Sequence, residues 1–450
     1  MQQIDKIILA RWLLPIAPEN IVLEQQAIAI QGSKIIDILP IDVYLERYTA
    51  KQVSDCRQHA VLPGLVNAHT HTPMNLFRGL ADDLELMDWL NHYIWPAEQA
   101  IIKPESVTDG CRFAIAEMLR SGTTCFSDNY FYHETVAQTA IAEGIRATLG
   151  FLVMNVATQY AKDEQDYFNK ALATLEKDLH HDLISWSIAP HAPYTVSDAT
   201  FKKIASLSAK NDLRIHLHLN ETAAEVQMSL AQYQQRPIAR LHQLGLINPR
   251  LMAVHMVCAN DAEIQLLKEH DVNIILCPES NMKLASGFAP IEKYLNAGLN
   301  IALGTDGAAS NNNLDMFGEL RSMSFIAKAN SQDPTLLPAA QALEIATLGG
   351  AKTLGLADKI GSIEIGKEAD LIAVDLDSIF TQPVYHPMSA LVYALNTSQV
   401  SDVWVAGKQL LAQGKFTRLD IKRTMDKVAA WTDKVNKLGA THSDEHLGTK

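Results

Sequence analysis

Val61-Leu-Pro-Gly-Leu-Val-Asn-Ala-His-Thr-His71 is the stretch on which the reading of this chain turns: a short apolar run that stops in two histidines one residue apart. Residues i and i+2 of an extended strand point to the same face, so His69 and His71 aim their imidazoles at a common point. That point suits a metal ion. His-x-His also occurs by chance, and the rest of the chain has to supply the missing ligands.

Downstream of Val61, short apolar runs alternate with stretches of helical period, as βα units do in a parallel sheet. The runs are Val61–Val66, Thr123–Phe126, Arg146–Val153, Ser185–Ala189, Arg214–Leu219, Leu251–Val254, Val272–Leu276 and Leu299–Leu303. Eight is the count of a closed barrel. Segments between them, such as Glu105–Arg120 and Asp315–Lys328, carry apolar residues at helical spacing. Upstream, Ile4–Leu9, Ile21–Ile30 and Ile35–Leu39 read as strands, the last two joined by a turn at Gln31-Gly-Ser-Lys34. Near the other end, Gly361–Gly366 and Ala369–Val374 read as strands, and Val403–Leu411 as a hairpin turning at Gly407. Both chain ends thus supply β segments without partners, which a joint sheet or sandwich would satisfy. The expected fold is α/β: a (β/α)8 TIM-type barrel over residues 61–359, with a small β-sandwich domain built from residues 1–60 and 360–450. A helix from Asp420 to Leu438 is expected to close the chain, and the polar tail to Lys450, with His442 and His446, reads as disordered.

The 450 residues are 48% hydrophobic and 20% charged, ordinary for a protein with a sizeable core. A formal net charge of −13 without any block of Lys and Arg argues against nucleic acid and for a small-molecule partner. Five scattered cysteines, with no Cys-x-x-Cys pair, argue against a disulfide framework or a thiolate zinc site and fit the cytoplasm. The apolar run from Ile7 to Ile16 is broken by Arg11 and Pro15 and lacks signal-peptide flanks. No stretch is long enough to span a bilayer, so no membrane partner is expected. A homo-oligomer is expected.

Functional side chains of such a barrel sit where strands end. Strand one ends in His69 and His71, strand four in Ala189-Pro-His191, strand six in His255 and strand eight in Gly304-Thr-Asp306; strand five carries Arg214-Ile-His-Leu-His-Leu-Asn-Glu221. This convergence on one rim points to a single zinc-like ion with nitrogen and oxygen ligands. His216 and His218 face the same way and compete for the strand-five position. Cys277 reads as packing. Glu221 is readable as a proton-transfer group or as an acidic helix start.

Pro63-Gly-Leu-Val-Asn-Ala-His-Thr-His71, His216-Leu-His-Leu-Asn-Glu221, His255 and Thr305-Asp306 resemble the mononuclear branch of the amidohydrolase superfamily. Met74-Asn-Leu-Phe-Arg-Gly-Leu-Ala-Asp-Asp83, Met87-Asp-Trp-Leu90 and Ile94-Trp-Pro-Ala-Glu98 narrow the resemblance to the 5′-methylthioadenosine/S-adenosylhomocysteine deaminases. It runs over most of the chain, although triazine chlorohydrolases share part of the narrower motifs. The resemblance implies His69, His71, His218 and Asp306 as ligands of one Zn2+ per subunit, with Fe2+ as an alternative metal. It implies Glu221 as the proton shuttle, His255 as the group orienting the attacking water, and Trp89, Glu98, His191 and Ser310 as contacts to a nucleoside. Binuclear relatives need a carboxylated lysine near the end of strand four. Ala189-Pro-His-Ala-Pro-Tyr194 offers none.

The implied reaction is hydrolytic deamination of an adenosine derivative at C6, with Asp306 and His255 holding the nucleophile and Glu221 carrying its proton to N1. Relatives that accept S-adenosylhomocysteine need a cation for its carboxylate, typically arginine after strand three. Met154 to Ala171 holds no arginine, only the cations Lys162 and Lys170, which favours 5′-methylthioadenosine over S-adenosylhomocysteine or adenosine, with Arg78 or a residue of a neighbouring subunit as the alternative cation. Rival readings are a guanine- or cytosine-type deaminase, a chlorotriazine hydrolase, and a non-catalytic scaffold that would have lost its ligands. None is lost here.

Overall fold

The computed structural model describes residues 1–18, 20–177 and 181–446, with side chains up to residue 437 in the last helix. Two eight-stranded sheets organise it. The first is parallel and runs in chain order through Leu65–Thr70, Thr123–Asp128, Arg146–Val153, Ile184–Pro190, Arg214–Leu219, Leu251–His255, Asn273–Leu276 and Ile301–Leu303. Helices cross between most successive strands, as parallel pairing requires. This is the expected barrel.

Asn67 closes the seam between its last and first strands. The Thr305 amide donates to Asn67 Oδ1 at 3.1 Å, and Asn67 Nδ2 donates to Thr305 Oγ1 at 2.8 Å, so one side chain stands in for a missing peptide partner. A Cβ on Gly304 would lie 2.7 Å from His69 Cβ, so the close approach of strand eight to strand one depends on glycine.

The second sheet joins both chain ends in the order Lys415–Phe416, Lys408–Ala412, Val400–Val405, Leu371–Asp375, Tyr48–Pro63, Gln2–Leu13, Leu23–Gln31, Lys34–Pro40. It is one continuous sheet that curls back on itself: the Ile35 amide donates to Lys367 O at 3.0 Å and the Ala369 amide to Ser33 O at 2.8 Å. Ile8, Ile28, Ile35, Val61, Leu371 and Trp404 fill the space enclosed. The buried Arg146–Asp370 pair, bidentate at 2.8 and 3.1 Å, ties this sheet to the third barrel strand.

Three expectations are corrected. The first barrel strand begins at Leu65, not Val61, because Val61, Leu62 and Pro63 pair with Ala373, Ile372 and Leu371 in the second sheet. The apolar run that reads as one strand serves two sheets, and Gly64 is the joint: a Cβ there would lie 2.0 Å from Thr124 Oγ1. Gly361–Gly366 is no strand but a pair of turns, with both glycines left-handed at φ +92° and +93° and Ile365 exposed. The final helix, Ile421–His446, runs past Leu438 through most of the tail. Residues 447–450 and the side chains of His442 and His446 lie outside the described residues. No described helix is long and apolar enough to cross a membrane.

Candidate active site

At the C-terminal rim of the barrel, Asp306 Oδ1 lies 3.4 Å from His69 Nε2 and 3.2 Å from His71 Nε2, and His218 Nε2 lies 3.2 Å from His69 Nε2. The opposite ring nitrogens are already engaged. His71 Nδ1 donates to Asn129 O at 2.6 Å and His218 Nδ1 to His191 O at 2.6 Å, which leaves each Nε2 with a lone pair aimed at the common point. His69 Nδ1 meets His216 Nε2 at 2.7 Å. Thus His216 stands behind the cluster and His218 within it. Asp306 Oδ2 accepts from Ser280 Oγ at 2.7 Å and Ser310 Oγ at 2.8 Å, turning Oδ1 towards the histidines. Three imidazoles and a carboxylate on one point, all with their outer atoms tied, fit a zinc-like ion.

His255 lies in the same cluster as His69 and His218. Asn281 Nδ2 donates to His255 Nδ1 at 3.0 Å, which puts the ring proton on Nε2, 3.8 Å from Glu221 Oε2. The Asn220 and Glu221 amides both donate to Glu225, at 3.0 and 2.8 Å, fixing the loop that presents Glu221. Burial pushes the Glu221 carboxyl up, so it holds a proton more readily than an exposed glutamate. His255 and Asp306 both have left-handed backbones, φ +71° and +61°, a strain that non-glycine residues carry mainly where the surroundings demand it.

These groups open onto a cavity of about 100 Å3 whose apolar wall includes Met74, Leu86, Trp89, Leu90, Ile94 and Trp95. Glu98 and His191 line it too, as does Ser310, whose hydroxyl is held by Asp306. Glu98 accepts a hydrogen bond from Tyr130 Oη; burial nevertheless pushes its carboxyl up to about 7. Burial pushes His191 down to about 4, leaving it neutral at pH 7. Every residue singled out from the sequence for the site therefore lies at this rim. Ser280, Asn281, Tyr130 and Glu225 did not emerge from sequence. Ser280 and Asn281 lie in the short helix Pro278–Lys283 that follows strand seven, on the rim where the strand-end rule applies, and Glu225 completes Thr222-x-x-Glu225, the pattern of a helix start.

The chain matches the amidohydrolase family model over residues 60–410. It is 41% identical over 437 residues to the 5-methylthioadenosine/S-adenosylhomocysteine deaminase of Saccharophagus degradans, covering 97% of this chain and 98% of that one. The chain belongs to this family of amidohydrolases. Among solved structures, an adenosine deaminase from Xanthomonas campestris with bound zinc superimposes with a TM-score of 0.96 at 47% identity, covering 97% of this amidohydrolase and 99% of that chain. The zinc-complexed atrazine chlorohydrolase of Arthrobacter aurescens TC1, at 23% identity and a TM-score of 0.87 over 95% of this chain and all of that one, shares the amidohydrolase fold.

Proposed function

We propose that this amidohydrolase deaminates an adenosine derivative at C6 by hydrolysis, converting 5′-methylthioadenosine to 5′-methylthioinosine and ammonia. The reading is carried by one cavity that joins the His69–His71–His218–Asp306 cluster, Glu221 and the buried carboxylate of Glu98. Relatives named for methylthioadenosine and adenosine deamination support it.

His69, His71, His218 and Asp306 would hold one zinc ion, the metal bound by the Xanthomonas campestris relative. Such an ion lowers the pKa of water to about 7 and so supplies a nucleophile at neutral pH. His255 Nε2–H and Asp306 orient the water towards C6. Glu221 takes one of its protons and delivers it to N1 as the oxygen–C6 bond forms. The second proton passes to the amino group, the C6–N6 bond breaks and ammonia leaves. Glu98 accepts hydrogen bonds from the ribose hydroxyls, and Trp89, His191 and Ser310 complete the nucleoside contacts.

The 5′ substituent is read by an adjoining chamber of about 150 Å3, which shares Trp95, Glu98, Phe131 and Met154 with the first. Val156, Ala157, Tyr132 and Tyr160 line it, and among the described residues its wall holds no Lys, Arg or His. An uncharged methylthio tail suits such a wall, whereas the amino-acid end of S-adenosylhomocysteine lacks a counter-charge there. We assign the enzyme to the cytoplasm on its five free cysteines, and to a homo-oligomer on the exposed Ile379, Phe380 and Tyr385, which light scattering would test.

The deciding experiment follows ammonia release from methylthioadenosine, S-adenosylhomocysteine, adenosine, guanine and a chlorotriazine with zinc-loaded protein. Turnover of methylthioadenosine above the rest is expected; no turnover of any adenosine derivative refutes the reading.

A further inference from the structure

The segment from Gly79 to Ile102 crosses the mouth of the barrel and brings Trp89 and Glu98 to the cavity wall. Near its start, Asp82 is gripped by residues from two other βα loops. Lys283 Nζ donates to Asp82 Oδ1 at 2.6 Å, Asn312 Nδ2 donates to Asp82 Oδ2 at 3.1 Å, and Lys283 Nζ also donates to Asn312 Oδ1 at 2.5 Å. The three side chains form a closed triangle. Lys283 ends the short helix Pro278–Lys283, whose Ser280 and Asn281 hold Asp306 and His255. One helical turn therefore touches two groups at the reacting centre and the segment that covers them.

We propose that Lys283 and Asp82 are positioning residues: with Asn312 they form a clasp that seats residues 79–102 over the cavity and sets how Trp89 and Glu98 meet the substrate. The clasp side chains of Lys283 and Asp82 are 24% and 35% exposed. A pair so placed is moderate in strength and weakened by salt, as a clasp that must release product requires. On the outer side of the covering segment, Leu84, Met87 and Tyr93 are exposed. The roles of Trp89 and Glu98 rest on the nucleoside reading above; the clasp itself does not.

Hydrogen exchange without substrate tests the clasp directly. In Lys283→Met, exchange over residues 80–95 should quicken about tenfold while the barrel strands keep their protection. Lys283→Arg should stay near wild type. In turnover, Lys283→Met should raise KM about three- to tenfold and leave kcat within about twofold. Added salt should raise the wild-type KM and leave that of the variant flat. The double reversal Asp82→Lys with Lys283→Asp should recover part of the loss, since Asn312 can turn its amide to serve the reversed pair. Unchanged exchange over 80–95 in Lys283→Met, or a fall in kcat at constant KM, would overturn the proposal. A wild-type protein inactive on every adenosine derivative would instead refute the functional reading, and the exchange result would still decide the clasp.

Discussion

His69 Nδ1 and His216 Nε2 lie 2.7 Å apart in the buried interior of the barrel, and on its far side His216 Nδ1 faces Ser127 Oγ at 3.2 Å. Burial keeps His216 neutral, so it accepts the His69 proton and leaves His69 Nε2 free to bind metal. His216→Ala should therefore weaken zinc binding about ten- to a hundredfold, measured by competition with a chelator. Unchanged affinity would reduce His216 to packing.

Glu221 stands outside the group His69, His71, His218 and Asp306 yet lines the same cavity. Glu221→Gln should keep its zinc, by metal analysis, and lose about two to four orders of magnitude in kcat. Retained activity would remove Glu221 from the proton path.

The Glu98 carboxyl, pushed up to about 7, has to be ionised to accept two ribose hydroxyls. Wild-type KM should rise as pH falls below about 7, whereas Glu98→Gln should show a high KM that is flat with pH. Stability moves the other way. Because the folded state holds this proton and the unfolded chain releases it, stability falls as pH rises from the ordinary carboxyl value of 4.5 to about 7. Glu98→Gln should accordingly raise Tm more at pH 8 than at pH 5.

Val156 lies on the wall of the second chamber and is 40% exposed, so a longer side chain there has room to reach solvent. Val156→Arg should move the ratio of kcat/KM about tenfold from methylthioadenosine towards S-adenosylhomocysteine, by giving the carboxylate a partner. An unchanged ratio would separate this chamber from the 5′ substituent.

Much of this was legible in the sequence because period and strand-end position are local properties. His69, His71, His218, His255 and Asp306 could be read from where apolar runs stop. Val61 to Pro63 were misassigned because an apolar run shows that a strand exists and says nothing of which sheet pairs with it. Gly361–Gly366 alternates like a strand, and only its two left-handed glycines make it turn. Ser280, Asn281 and Lys283 act through partners on other loops, and such contacts exist only once the barrel has closed.

The joint at Gly64 also bears on how the enzyme is made. Tyr48–Pro63, which leads straight into the strand bearing His69 and His71, pairs on its second side with Leu371–Asp375. During synthesis the first two metal-facing histidines therefore emerge some three hundred residues before the strand that pins their approach. The candidate ligand set is complete only at Asp306, and a chain halted before Leu371 is expected to hold zinc more weakly than the finished one, which metal analysis of truncated protein checks.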